Sequence, residues 1–353
     1  MRRSYDEPDF NLHGDSLIQL DDGRILSFKF RKSYSYSLRI YEQEEFKEVL
    51  SIDLEEILKQ NDKELRLMGN IELSVIQLKN KSILVSFYIY LIEIKLNEKS
   101  FESKIAFECD GNILNINELP DGRIILITRD SILVLNDFIL KDKYDIKDNW
   151  RIVPVSSIDR YYGKFEQHFF SIILPDERIL LRSFSTELSY HGGCGTHPPA
   201  EFTHSKIIFL KIKNFEEIKT TEEFESDSRA LVLENIIIIQ DYHDIYLYDI
   251  KTLENIKKIE IKGEYNYFEK YNENEIIAYS KYENKNDLLI YRVEGNDLIK
   301  NCEVKKKFKF DEVIGWNGYS IREYNNKKLF VLKDKRIILL CHSAAVLLNL
   351  GLE

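Results

Sequence analysis

The sequence predicts an all-β protein: a seven-bladed β-propeller of four-stranded antiparallel blades, with the ring closed by the N-terminal segment. Three observations predict it. A phrase of apolar strand, polar turn and apolar run recurs along the whole chain: LIQLDDGRILSF from Leu17, VIQLKNKSILVSF from Val75, INELPDGRIILIT from Ile116, SIILPDERILLRSF from Ser171, LVLENIIIIQ from Leu231, FEKYNENEIIAYS from Phe268 and FVLKDKRIILL from Phe330. Its turns begin at Asp21, Lys79, Pro120, Pro175, Leu233, Asn272 and Lys333, so successive copies lie 58, 41, 55, 58, 39 and 61 residues apart. About 40 to 50 residues build one four-stranded blade, and longer intervals leave room for inserted connections. Finally, the last copy ends after its third strand, and the one unassigned extended piece is the segment before Leu17 that contains Asp9-Phe10-Asn11-Leu12-His13. That segment is expected to complete the seventh blade and remove its open edge.

Within one copy the period is two, as strands require. In the third copy, Asn112 to Leu119 reads as the first strand, Pro120-Asp121-Gly122 as the turn, Arg123 to Thr128 as the second strand and Ser131 to Leu135 as the third. Proline fixes φ and glycine accepts positive φ, which is why Pro-Asp-Gly punctuates a hairpin. The second strands are continuous apolar runs, such as Ile124-Ile125-Leu126-Ile127 and Ile236-Ile237-Ile238-Ile239. Runs of that kind suit strands packed on both faces. Third strands begin at Ser37, Tyr90, Ile132, Ile207, Ile245, Leu288 and Ala345, and the more polar fourth strands include FKEVLSIDL from Phe46 and NIKKIEIKG from Asn255. A helix is predicted at Leu54 to Gln60, between the first two blades.

The chain is therefore expected to be one domain, residues 1–353. Apolar residues make up 44% and charged residues 31%, a balance that supports a large core rather than disorder. No run approaches the roughly 18 apolar residues of a membrane span, and Met1-Arg2-Arg3 leads into SYDEPDFNLHGD rather than an apolar leader. Cys109, Cys194, Cys302 and Cys341 lie far apart, as suits reduced thiols. A soluble, cytoplasmic protein is expected. The net charge of −10 argues against nucleic acid as partner, and the basic run Lys305, Lys306, Lys307 and Lys309 reads as a solvated strand edge.

One segment breaks the repeat: TELSYHGGCGTHPPAEFTHS, Thr186 to Ser205, a long connection in the fourth copy. Its spacing, His191-x2-Cys194-x2-His197-x6-His204, offers the nitrogen and sulfur donors that zinc prefers. Structural zinc sites use shorter paired spacings on ordered turns, so a loop that contacts a partner is the favoured reading, and no metal or cofactor is expected. Cys194 with His191 or His197 as base lacks the orienting group and oxyanion site of a nucleophilic centre. Aromatic clusters read as strand formers or as binding residues. Arg160, Tyr161 and Tyr162, together with Lys164, precede the fourth copy's first strand and are expected to share a face with Tyr190, His191, Cys194, His197 and His204.

The succession of turn, apolar second strand and third strand resembles WD40-type propellers, and Tyr246-Leu247-Tyr248-Asp249 is similar to the place where that family carries its Trp-Asp ending. No Trp-Asp dipeptide occurs, the Gly-His opening is absent, and neither Trp150 nor Trp316 falls at that position, so the resemblance is to a divergent member. It implies a rigid, noncatalytic scaffold for protein partners. The alternative is a metal-assisted hydrolase or lyase with its site at the propeller channel or the 186–205 loop; recognition of a modified peptide or glycan in the channel is a third.

Overall fold

The structure is a computed structural model that describes residues 10–11, 16–28, 36–63, 73–152, 164–175, 177–189, 200–224, 229–241, 244–260, 265–280, 287–295, 297–305, 327–341 and 344–348. These residues form seven four-stranded antiparallel sheets, the blades of a seven-bladed β-propeller. Strand β1 (Phe10–Asn11) stands apart from its sequence neighbours. The first sheet is β2 (Ser16–Gln19), β3 (Ile25–Phe28), β4 (Ser37–Tyr41) and β5 (Glu48–Asp53), followed by helix α1 (Leu54–Gln60). The second is β6 (Ser74–Gln77), β7 (Ile83–Phe87), β8 (Tyr90–Leu96) and β9 (Phe101–Glu108). The third is β10 (Ile113–Glu118), β11 (Ile124–Thr128), β12 (Ser131–Asn136) and β13 (Ile139–Asp145). The fourth is β14 (Lys164–Ile173), β15 (Arg178–Ser189), β16 (Ala200–Lys211) and β17 (Glu217–Thr220). The fifth is β18 (Arg229–Val232), β19 (Ile236–Asp241), β20 (Asp244–Asp249) and β21 (Asn255–Glu260). The sixth is β22 (Tyr265–Lys270), β23 (Glu275–Ser280), β24 (Asp287–Glu294) and β25 (Asp297–Lys305). The seventh takes β26 (Lys327–Val331), β27 (Ile337–Cys341) and β28 (Ala344–Leu348), and its fourth strand is β1, paired through Phe10↔Ala345 and Asn11↔Ala344. The N-terminal segment thus completes the last sheet, as expected.

The chain divides into two compact units. One comprises Met1–Lys29, Leu38–Ser51 and Arg229–Glu353, and holds most of the first sheet with the fifth, sixth and seventh; the other comprises Phe30–Ser37 and Ile52–Ser228, with the second, third and fourth. In each, apolar side chains fill the space between neighbouring sheets. Ile125 and Ile127 of β11 pack with Phe169, Ile179, Leu181 and Ile208 of the fourth sheet, while Ile124 and Leu126 of the same strand pack with Leu78, Leu84 and Leu91 of the second. The unbroken apolar run of β11 follows from burial on both faces. In the other unit, Ile276 and Ala278 of β23 face the fifth sheet, and Ile277 faces the seventh.

Turns repeat as faithfully as strands. At Leu20, Leu78, Leu119 and Leu332, the backbone N–H donates to the carbonyl four residues on, and the N–H of Gly23, Lys81, Gly122 or Lys335 returns to the leucine carbonyl. The returning residue is left-handed in all four, with φ of 91°, 71°, 87° and 68°. Asp22, Asp121 and Asp334 each accept the arginine N–H two residues on (3.0, 3.1 and 3.1 Å) and its Nε–H (2.9, 2.8 and 2.8 Å). Burial pulls these carboxyls up, but the hydrogen bonds and the guanidinium charge outweigh it and leave each below its ordinary value. The third-to-fourth turns have their own rule: Phe46, Phe215 and Leu253 are buried although their φ is 51°, 52° and 60°. The Asp249 that ends β20 accepts the N–H groups of Lys251 and Thr252 at 2.8 and 2.7 Å, which starts the last of these turns.

Helix α1 has the predicted bounds. Asp53 caps it by accepting from the N–H of Glu55 and Glu56, and Leu54, Ile57 and Leu58 are buried. Among the described residues no helix is long and apolar enough to cross a membrane.

Candidate functional site

Antiparallel order puts the first-to-second and third-to-fourth connections at one end of each sheet, and the other connections at the opposite end. Among the described strands, every connection longer than six residues departs from the second end of its own sheet: 29–36, 54–73, 146–163, 190–199, 221–228 and 306–326. Connections at the first end of each sheet are short, and within each unit some neighbouring sheets are tied there. Lys79 donates its N–H to Glu118 Oε2 (2.9 Å) and its Nζ to the carbonyls of Leu119 (3.3 Å) and Pro120 (2.6 Å) on the next sheet. Lys333 repeats the clasp in the other unit, with its N–H to Gln19 Oε1 (2.5 Å) and its Nζ to Leu20 O (3.4 Å) and Asp21 Oδ1 (2.8 Å). Lys335 Nζ reaches the opposite neighbour, Tyr271 O, at 3.0 Å.

The fourth sheet carries the feature that sequence singled out. Strands β14, β15 and β16 have 10, 12 and 12 residues against 4 in β17. Pairing runs from Ile173↔Ile179 to Lys164↔Leu188, and from Arg178↔Lys211 to Ser189↔Ala200. The connection expected at Thr186 to Ser205 is therefore shorter: residues 186–189 and 200–205 continue the ladder, and 190–199 connect them. Extended pairing gives these backbone groups hydrogen-bond partners that a free loop would leave to water. Lys164, expected ahead of the first strand, begins β14. Its register opposite Leu188 makes connections 146–163 and 190–199 leave the sheet at the same end.

Of the predicted site residues, His204 alone is described. It lies half-buried on β16 opposite Ser185. Arg160, Tyr161, Tyr162, Tyr190, His191, Cys194 and His197 lie outside the described residues. Among the described residues no group of three or more His, Cys, Asp or Glu side chains is arranged to hold a metal ion.

The approach to this end is anchored. Two residues from His204 on β16, Lys206 donates to the carbonyls of Asn149 (2.7 Å) and Arg151 (2.5 Å), and burial lowers its pKa. The Trp150 side chain is buried, and its Nε1–H donates to Glu217 Oε2 at 2.6 Å. Asn149 and Thr220 donate to the same carboxylate (3.2 and 2.8 Å). Burial raises the Glu217 carboxyl, and these donors more than reverse that, leaving it below its ordinary value. Trp150→Phe keeps most of the buried surface and removes the donor. It is expected to cost about 1 to 3 kcal/mol in urea unfolding, as for a hydrogen bond to a charged group.

Sequence reasoning passed over His168. Its ring stacks on Phe184 (centroids 4.8 Å apart, planes 21°), Phe184 stacks on Phe170 (5.5 Å, 12°), and the Arg182 guanidinium lies 4.9 and 4.8 Å from the Phe170 and Phe184 centroids. The pairs His168↔Phe184 and Phe170↔Arg182 put all four on one face at the base of the extended strands. Only the register, which neither strand states alone, reveals the column.

No family model matches this chain, and no curated protein does. Similar solved structures include a chain of a mitotic checkpoint complex (7% identity, 98% of each chain, TM-score 0.52). BBS1N from its complex with ARL6DN is 9% identical over 98% of this chain and 96% of that one, with a TM-score of 0.51. BamB from Moraxella catarrhalis is 12% identical over 98% of each chain, with a TM-score of 0.48. At such identities the first two likenesses are of fold.

Proposed function

We propose that this protein is a noncatalytic interaction scaffold, one cytoplasmic domain that engages a protein partner through the ends of its sheets where the long connections lie. One observation carries the reading. Among the described strands, the six connections longer than six residues all depart from that end of their sheets, while at the other end the turns are tight and Lys79 and Lys333 clasp a neighbouring sheet. Long connections on a rigid frame are where binding residues accumulate. Connections 146–163 and 190–199, which carry Arg160, Tyr161, Tyr162, Tyr190, His191, Cys194 and His197, form the specificity element, with His204 at its base. Support also comes from BBS1N, a chain of similar fold crystallised in complex with another protein.

The register Ser189↔Ala200 makes a clean test possible. Residues 190–199 are replaced by Asn-Gly, the two-residue turn that such a register accepts. The expected result is an unchanged melting temperature with loss of the proteins captured by the parent chain. Capture of the same proteins by the shortened chain would defeat the reading.

A further inference from the structure

Aligned on the buried residue that opens each first turn (Leu20, Leu78, Leu119, Leu174, Leu233, Tyr271 and Leu332), the seven sheets place Ile18, Ile76, Asn117, Ile172, Leu231, Glu269 and Phe330 at one equivalent position, two residues earlier on the first strand. The position is partly buried in all seven. Five of the residues are apolar. Asn117 is provided for, with its Nδ2 donating to Asn115 Oδ1 (2.7 Å), Ser171 Oγ (2.5 Å) and Ser171 O (3.3 Å). Among the described residues Glu269 has no such set: its carboxylate meets the Lys270 N–H and feels the charge of Arg229.

We infer that Glu269 is a proton-controlled element of the sixth sheet: it sits as a neutral acid on β22, which packs against β18 and β26, and its ionisation weakens that packing. The charged side chains described on the packed elements are Arg229 on β18, Glu275 on β23 and Lys328 on β26. Glu275 is taken up by Arg292 and Asn301; on β22 itself, Lys270 pairs with Glu273. Loss of solvation raises the Glu269 carboxyl to about 7, and Arg229 and the Lys270 N–H draw it only partly back. Between the unfolded value near 4.5 and the folded value near 7, the folded chain keeps a proton that the unfolded chain has shed. The associated stability is full below the lower value and is lost as pH rises through the upper one.

Wild type, Glu269→Gln and Glu269→Ile are melted from pH 5.5 to 8.5. The glutamine stands for the neutral acid, and isoleucine is the residue at three of the equivalent positions. Relative to Glu269→Gln, wild type is expected to lose roughly 3 °C across the interval, and Glu269→Ile is expected to be the most stable of the three at pH 8.5. A wild-type-to-glutamine difference that does not change with pH overturns the inference. The 13C carboxyl shift of Glu269, assigned by its absence in Glu269→Gln, tests wild type alone: a midpoint near 7 supports the inference, and one in the ordinary carboxylate range overturns it.

Discussion

Replacing Ile125 with aspartate is expected to leave no cooperatively folded protein. Ile125 lies on β11, has no exposed surface and sits in the core shared by the third and fourth sheets. Removing its side chain forfeits on the order of 1.5 to 3 kcal/mol of burial. The carboxylate adds several kcal/mol more, whether it is buried ionised or takes up a proton. Together these approach the roughly 5 to 15 kcal/mol by which a folded domain exceeds its unfolded chain. Two controls fix the interpretation. Ile125→Val keeps the shape and is expected to cost about 1 kcal/mol. Ile139→Asp places the same charge on β13, where the side chain is 62% exposed, and is expected to change stability by less than about 0.5 kcal/mol. Urea unfolding of the three variants checks the set; a cooperative wild-type-like transition for Ile125→Asp would refute the packing argument.

The second large effect is expected at the N-terminus. Deleting residues 1–13 removes β1 and leaves the outer edge of β28 without its partner. The loss includes the hydrogen bonds of Phe10 and Asn11, and the bared edge is a template for pairing with another chain. The truncated protein is expected to melt several degrees lower and to self-associate as concentration rises. A synthetic peptide of residues 1–13 added in trans should reverse both changes. An unchanged melting temperature would mean that β1 contributes nothing to the seventh sheet.

Much of this was legible because it rests on local periodicity. Ile124-Ile125-Leu126-Ile127 announces a strand buried on both faces, and its side chains divide between the second and fourth sheets. Leu54 to Gln60 reads as a helix and is one, capped by the aspartate before it. What sequence could not supply is pairing. The residues flanking 190–199 look like loop because they are polar, yet a register across three strands holds them in the sheet. The phrases Leu-Lys-Asn-Lys and Leu-Lys-Asp-Lys at 78–81 and 332–335 are plain in the text. Half of the acceptors of Lys79 and Lys333 are backbone carbonyls on another sheet, which no side-chain pattern records. His168 joins its aromatic column for the same reason. The exception at Glu269 emerges only when all seven sheets are laid over one another.

The pairing of Phe10 with Ala345 also sets an order of assembly during synthesis. The second to sixth sheets are each written in one stretch of sequence, so each can form soon after its last strand leaves the ribosome. The seventh cannot, because its outermost strand is made before the other six sheets and the three strands it joins are made after them. Residues 10–11 therefore wait through the translation of more than three hundred residues for their partner. The edge most in need of cover is the last to receive it, and the nascent chain is most open to wrong pairing at that moment.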